Sequence, residues 1–305
     1  MASPTKSICF GFAPALQKIS RYADMKVGEV NRALESRWGL GGKGANTARM
    51  IHQLGGDSFL VGFCGGANGE RYLHLLDEEG IDHHHLSVAG DTRLCHTLIE
   101  DQAVTELVEE MPAILPKELA MMEQQITSLD LSGMVALSGK LPRGIPDNVY
   151  ARIASVVQHQ GGRVIIDTQG EPLLRALDQH PFVKINREEL CRTMQASTLL
   201  VAAESLLAQG AAGLLVTDGA QPAQLFSDGK QWQVQPPKVD AINPVGSGDA
   251  VTAGMMVALE QGASMREAVR LGMACGAANA LQLMCGILDI VDVNRLRENV
   301  QIMRV

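Results

Sequence analysis

A chain of 305 residues is long enough for one large α/β domain, and 46% hydrophobic with 20% charged residues is an ordinary globular mix. The net charge of −8, without a lysine or arginine run longer than two, excludes a nucleic-acid footprint. It leaves room for a small anionic substrate held by a few local cations. Six scattered cysteines form no CxxC pair, which argues against a zinc or redox motif. With no signal peptide, they are expected to be reduced thiols of a cytoplasmic protein. No apolar run approaches the ~20 residues of a membrane helix.

Residues 17–40 alternate imperfectly, with Gly28 as a turn, and suggest a hairpin. The loop "GLGGKGANTARMIHQLGG" then opens a helical region over 46–54, followed by another over 69–79. "HHH" at 83–85 is expected to be a polar turn after a helix, too closely spaced for an obvious metal geometry. Residues 92–108 look like two further antiparallel strands around "EDQA". The two hairpins are expected to pair as a small lid sheet, approximately residues 13–42 and 92–112, inserted into a single domain spanning 1–305.

From there the pattern becomes regular. "MVALSG" is a strand ending at Ser138–Gly139, and "PDNVYARIASVVQHQGG" a helix with Pro146 at its start and Gly161 at its end. Residues 164–166 form a strand ending at Asp167, "PFVKIN" one ending at Lys184–Asn186, and 214–216 one ending at Thr217–Asp218. Strands alternating with helices of about 10–15 residues predict βαβ units and a mostly parallel sheet. In such sheets ligands sit beyond the carboxyl ends of the strands, and each strand here ends in polar or glycine residues.

Three stretches carry chemistry. Gly39, Gly41 and Gly44 have the GxGxxG spacing, but no clear first strand precedes them and no acidic residue follows about 20 positions on, so a dinucleotide site is rejected. Lys43 is followed by Gly44 instead of Ser or Thr, so this is not a P-loop either. The loop is either a tight entry into a helix or a place where backbone N–H groups, Lys43 and Asn46 meet an oxyanion or a hydroxyl. "NPVGSGDAVTAGMM" sets Gly246, Ser247 and Gly248 before Asp249 and a small-residue helix. Asp249 is either an N-cap or a base beside an anion hole built from helix N-terminal N–H groups. In "KINREEL", Asn186 and Glu189 are three apart, on one helix face, with Lys184 beside them. That is either a solvated helix start or a set that binds phosphates and holds water on Mg2+.

"GGKGANTA" and "NPVGSGDAVTAG" resemble the two signatures of the phosphofructokinase B-type (ribokinase-like) sugar kinases, in the family's order. "SGKLPRGIP" and "KINREEL" resemble two further family stretches, and the resemblance runs over essentially the whole chain. "GEVNR", "TELVEEMP" and "NPVGSGD" look most like the branch of 1-phosphofructokinases and tagatose-6-phosphate kinases. The resemblance implies a ribokinase-like three-layer α/β/α sandwich with a β-sheet lid, and an ATP- and Mg2+-dependent kinase of a sugar phosphate. Asp249 would be the base, with the backbone of Gly246, Ser247 and Gly248 as anion hole for the γ-phosphate. Asn186 and Glu189 would support Mg2+ through water, with Lys184 near the phosphates. Gly41, Gly42 and Asn46 would hold sugar hydroxyls. Lys43, Arg93 and Ser138 would receive the sugar's own phosphate, and Thr217, Gly219 and Asn279 would line the nucleotide. The lid would close over the sugar and serve as the interface of a homodimer; no nucleic-acid or membrane partner is implied.

The departures fall on substrate grip. Where the branch usually opens with Asn-Pro-x-x-Asp, this chain has "APALQ", with Ala13 and Gln17, and Gln17 offers an amide where the family's Asp grips hydroxyls. Lys140 stands in place of a serine and adds a cation to the substrate-binding set, "TDG" replaces the usual nucleotide stretch, and "LMCGIL" replaces a Gly-Thr-rich turn. A kinase of an unphosphorylated sugar or nucleoside, and a weakly catalytic binding protein, are therefore the alternative readings.

Overall fold

The structure, a computed structural model, describes residues 6–100 and 103–305. In chain order its strands and helices begin with β1 (Ser7–Gly11), β2 (Ala15–Arg21), β3 (Glu35–Gly41), α1 (Lys43–Gln53), β4 (Ser58–Cys64), α2 (Gly66–Glu78) and β5 (Asp82–Ser87). There follow β6 (Leu94–Ile99), β7 (Val104–Val108), α3 (Pro116–Ile126), β8 (Met134–Ser138), α4 (Val149–His159), β9 (Arg163–Asp167), α5 (Glu171–Ala176), β10 (Phe182–Asn186), α6 (Arg187–Met194) and α7 (Leu199–Ala208). The remainder is β11 (Gly213–Asp218), β12 (Gln221–Ser227), β13 (Lys230–Gln235), α8 (Ser247–Glu260), α9 (Met265–Ala280), α10 (Ile290–Arg297) and β14 (Gln301–Arg304).

The main sheet has the order β14-β13-β12-β11-β10-β9-β8-β1-β4-β5. From β11 to β5 every pairing is parallel, and β12 to β14 extend the β11 edge antiparallel. Strict alternation divides its side chains between two cores. Cys9, Ile165 and Leu215 pack with α1, α2, α8, α9 and α10; Ile8, Phe10, Val164, Ile166, Leu214 and Val216 pack with α3, α4, α5, α6 and α7. Both faces of a parallel sheet are thus covered, which gives three layers and explains why its strands read as continuous apolar runs. No described helix is long and apolar enough to cross a membrane.

From β1 the chain moves outward to β4 and β5, then returns to the other side at β8. The strand order therefore reverses between β1 and β8, and a crevice opens there at the carboxyl ends. Gly11, Ser138, Asp167, Asn186 and Thr217 stand along that rim.

A second sheet, of order β3-β2-β6-β7, lies apart. Its two hairpins are antiparallel within themselves, and β2 joins β6 in parallel. All four strands fall within residues 13–42 and 92–112; of the EDQA turn, Asp101 and Gln102 lie outside the described residues. The row Trp38–Lys18–His96–Leu107 points to one face, and the row containing Gln17 and Cys95 to the other. On the Gln17 face, Ile19 and Ile99 pack against Cys285, Leu283, Met284 and Val245, so this sheet stands over the loop that leads into α8.

Two expectations are corrected. The residues at 83–85 are not a turn: they lie in β5, the edge strand of the main sheet, paired with β4. His83 and His85 share a face and meet through their Nδ1 atoms at 3.2 Å, while the ring of His85 packs edge-on against Tyr72. Burial pushes the His85 pKa down to about 3, with His83 and His84 adding to the shift, so its ring is neutral. The glycine loop, in turn, does follow a strand. That strand, β3, belongs to the small sheet, so the rejection of a dinucleotide fold stands on topology.

Candidate active site

Asp249 lies in the first turn of α8 and is 6% exposed. It is not the N-cap. Gly246 occupies that place with φ 83, a left-handed conformation that favours glycine, and no side chain caps the helix. Ser247 N donates to Pro244 O at 3.2 Å, so the N–H groups of Gly248 and Asp249 are the ones left for an anion, and the Asp249 side chain turns inward instead. Its Oδ2 accepts a hydrogen bond of 2.8 Å from Asn46 Nδ2, on α1, 203 positions away. Asn46 Oδ1 and Ser138 Oγ are buried without a partner among the described residues; the amide oxygen can accept from a hydroxyl, and the serine hydroxyl can also donate to a phosphate oxygen.

Lys43 opens α1 and Lys184 sits in β10. Both converge on Asp167, at the end of β9: Lys43 Nζ donates to Oδ1 at 2.7 Å and Lys184 Nζ to Oδ2 at 2.8 Å. Asp167 is the residue of this cluster that sequence reasoning leaves out of the site. Only its position at a strand end signals it. Burial opposes the charge of Asp167, but Lys184 and Lys43 together hold its carboxyl well below the usual range. Burial likewise opposes the charge of Lys43, whereas Asp167, Glu189 and Asp249 keep it protonated.

Burial, first, and the charge of Asp167, second, push the Asp249 pKa up to about 6. Lys43, Lys184 and the Asn46 hydrogen bond act against that rise. Cys285, packed behind Gly246, has its thiol pushed up to about 12 by burial and stays neutral. A carboxylate poised near 6 is a stronger base than a free one. The sign of the pH dependence follows. With Asp249 as the base, proton uptake would remove it, and kcat/KM is then expected to fall about tenfold per unit below pH ~6. A rate profile from pH 4.5 to 9 checks this; a flat profile down to pH 4.5 would sink it.

The remaining residues fall into place less uniformly. Asn186 is not on the face of α6 but is its N-cap, in a reciprocal box: Asn186 Oδ1 accepts from Glu189 N, and Glu189 Oε2 accepts from Asn186 N. Glu189 Oε1 also receives Gln169 Nε2 at 3.3 Å and lies 3.9 Å from Lys43 Nζ. Among the described residues no group of three or more His, Cys, Asp or Glu side chains is placed to hold a metal ion by itself. The pair therefore fits a hydrated cation carried with a phosphate ligand better than a protein cage. Gly41 and Gly42 lie at the turn into α1, with Gly41 against Gln17. Gln17 is buried in β2 and donates through Nε2 to Thr97 Oγ1 at 2.6 Å. Arg93 has its guanidinium on the carbonyls of Ala13, Pro14 and Glu109, so it ties the small sheet to the β1–β2 loop. Lys140 is exposed beyond β8. Thr217 and Gly219 sit at the end of β11, with open space beside Gly219. Asn279 does not present a free amide. Its Nδ2 donates to Val245 O and Ser247 Oγ, and its Oδ1 accepts from Gly286 N, bracing the loop before α8.

A buried carboxylate, an uncapped helix start, paired cations and a glycine turn thus meet on one rim at the switch point. A family model described as "pfkB family carbohydrate kinase" matches residues 6–289. The chain is 31% identical over 284 residues to a 1-phosphofructokinase of Bacillus subtilis, covering 91% of this chain and 93% of that one. Phosphofructokinase-2 of Escherichia coli, solved in complex with substrates and products, superposes with a TM-score of 0.88 at 27% identity, over 97% of this chain and 99% of that one. A ribokinase of Arabidopsis thaliana, 21% identical with a TM-score of 0.74 over 96% of this chain and 99% of that one, shares the fold. The fold is ribokinase-like, and the chain belongs to the pfkB family of carbohydrate kinases.

Proposed function

We propose that this kinase transfers the γ-phosphoryl group of ATP to a hydroxyl of a sugar phosphate, of the fructose 1-phosphate or tagatose 6-phosphate type. One observation carries the reading: Asp249, held by Asn46, stands at the uncapped start of α8 with Lys43 and Lys184 nearby. The acceptor hydroxyl gives its proton to the Asp249 carboxylate, its oxygen bonds to the γ-phosphorus, and the bond from that phosphorus to the β–γ bridging oxygen breaks to release the diphosphate. Such a transfer needs positioning and charge stabilisation above all, and α8 and the two lysines supply both. Mg2+, bound with the nucleotide near Asn186 and Glu189, would neutralise phosphate charge. The Gln17 face of the small sheet would cover the sugar and keep water, a competing acceptor, away. Its opposite face, where Trp38 and Leu107 are exposed, would form the homodimer.

A second reading, a kinase of an unphosphorylated sugar or nucleoside, is favoured by one feature: the Arg93 guanidinium is occupied by three backbone carbonyls. A coupled assay of ADP release over a panel of sugars, nucleosides and sugar phosphates separates the two. The expected result is Mg2+-dependent turnover on one or more ketose phosphates, with kcat/KM at least about a hundredfold above the parent sugars, because a charge-assisted phosphate contact is lost with them. Turnover on the free sugars alone would favour the second reading, and none on any member would refute both.

A further inference from the structure

We propose that Asp167 is the positioning residue of this site: a buried yoke whose two oxygens hold Lys43 on the acceptor side and Lys184 on the donor side of Asp249. The inference rests on the kinase reading above and adds a residue to it.

The placement comes first. β9 lies between β8 and β10, and Asp167 stands level with Ser138, at the centre of the rim. One oxygen takes each lysine, at 2.7 and 2.8 Å, so a single carboxylate plane sets both nitrogens. Lys43 runs past Gly139 at the end of β8, below the glycine turn. Lys184 Nζ lies against Gly248, only 2.5 Å from where a Cβ on that residue would stand. It is therefore fixed beside the helix start that faces the transferred phosphoryl group. Glycine at 248 leaves room for that cation.

The energetics explain why a yoke is needed. Lysine carries a compact charge on a flexible four-carbon stem and does not fix its own position. Lys43 keeps a third of its side chain exposed, whereas the side chains of Lys184 and Asp167 are 4% and 1% exposed. Removing the carboxylate would strand buried positive charge, a severe cost, or release the lysines toward Asp249. Asp167 is also one of the three carboxylates around Lys43, with Glu189 and Asp249. The groups facing Asp249 are Lys43 from α1, Asp167 from β9, Lys184 from β10, the amide of Asn46 and the neutral thiol of Cys285. Of these, Asp167 favours a protonated Asp249 and the two lysines oppose it. The same residue that anchors the cations keeps the base strong.

The test is Asp167→Asn, with two readouts that do not need turnover: carboxyl 13C NMR titration of Asp249, and calorimetric binding of inorganic phosphate. The expected results are a downward move of the Asp249 titration, weaker phosphate binding, and a loss of kcat/KM on the order of a hundredfold. Combined with Lys43→Met, the loss should be clearly less than additive. A residue that served the fold alone would lower Tm and leave the titration in place, so an unmoved Asp249 titration, or additive losses, would overturn the yoke. If Asp167→Asn does not fold, Asp167→Glu keeps the charge but displaces both lysines. The titration should then stay raised while kcat/KM stays low, and a wild-type rate would overturn the positioning role. Absence of turnover in the wild-type chain, with the NMR and phosphate results as expected, would refute the kinase reading and spare the yoke.

Discussion

Asp249→Asn is expected to lower kcat by about 10²- to 10⁴-fold, on the order of 3–5 kcal/mol of transition-state stabilisation. The substitution keeps size and shape. The new amide oxygen still accepts the hydrogen bond that Asn46 Nδ2 gives at 2.8 Å. The N–H groups at the start of α8 come from the backbone and are untouched, so nucleotide affinity should change little. What is lost is the carboxylate proposed to accept the hydroxyl proton. The acid limb near pH 6 should vanish with it, because no titrating base remains. Stability should move the other way. The folded state raises the Asp249 pKa above its ordinary 3.8, so folding is favoured at low pH and loses that advantage as pH climbs through about 6. At pH 7 to 8 the charged carboxylate is a burden, and the asparagine variant should melt higher than the parent. Calorimetric nucleotide binding, a Tm and a single-turnover rate check the three parts. A variant that binds nucleotide and keeps the parental kcat would remove Asp249 from the chemistry.

The four strands β8 to β11 are legible because burial on both faces makes them short apolar runs, and the polar residues that end them are the rim itself. β4 and β5 are harder. "SFLVGFC" is interrupted by glycine, and the histidines of β5 belong to an edge strand, where polar residues are tolerated. Within the site, the glycine turn and the start of α8 announce themselves because backbone demands are local. Pairings are not local. Nothing in the neighbourhood of Asp167 states that its partners lie 17 and 124 positions away, and nothing beside Asn46 names Asp249. The Asn186–Glu189 spacing was open to two readings at once, a metal-supporting pair and a helix start; the structure shows the reciprocal cap, a use visible in the sequence pattern itself. Gln17 illustrates the limit in substrate choice. The sequence shows a missing carboxylate, but only the fold shows that the amide is spent on Thr97, leaving its carbonyl oxygen facing Gly41.

Gly44→Ala should lower stability and activity together, and the reason is the closeness of two backbones. A Cβ at Gly44 would stand 2.5 Å from Gly11 Cα, 2.8 Å from Gly11 N and 3.1 Å from Phe10 C. These atoms belong to β1, inside the sheet, and cannot rotate away as a flexible side chain would. α1 must therefore lift from the strand, at a cost of about 1–3 kcal/mol and a fall in Tm of roughly 2–4 °C per kcal/mol. The lift acts where it harms catalysis most. Lys43 precedes Gly44 directly, and Asn46, which holds Asp249, follows two residues later. A displacement of about 1 Å there is enough to cost on the order of a hundredfold in kcat/KM. Gly55→Ala, just past the far end of the same helix, separates the two effects. Its φ of 78 strains an alanine, but no atom lies within 4 Å of the new Cβ. It should lower Tm and leave kcat/KM at the parental value. If Gly44→Ala behaves like Gly55→Ala, with Tm reduced and kcat/KM intact, then the contact between α1 and β1 does not set the position of Asn46, and the geometry around Asp249 is held by α8 alone.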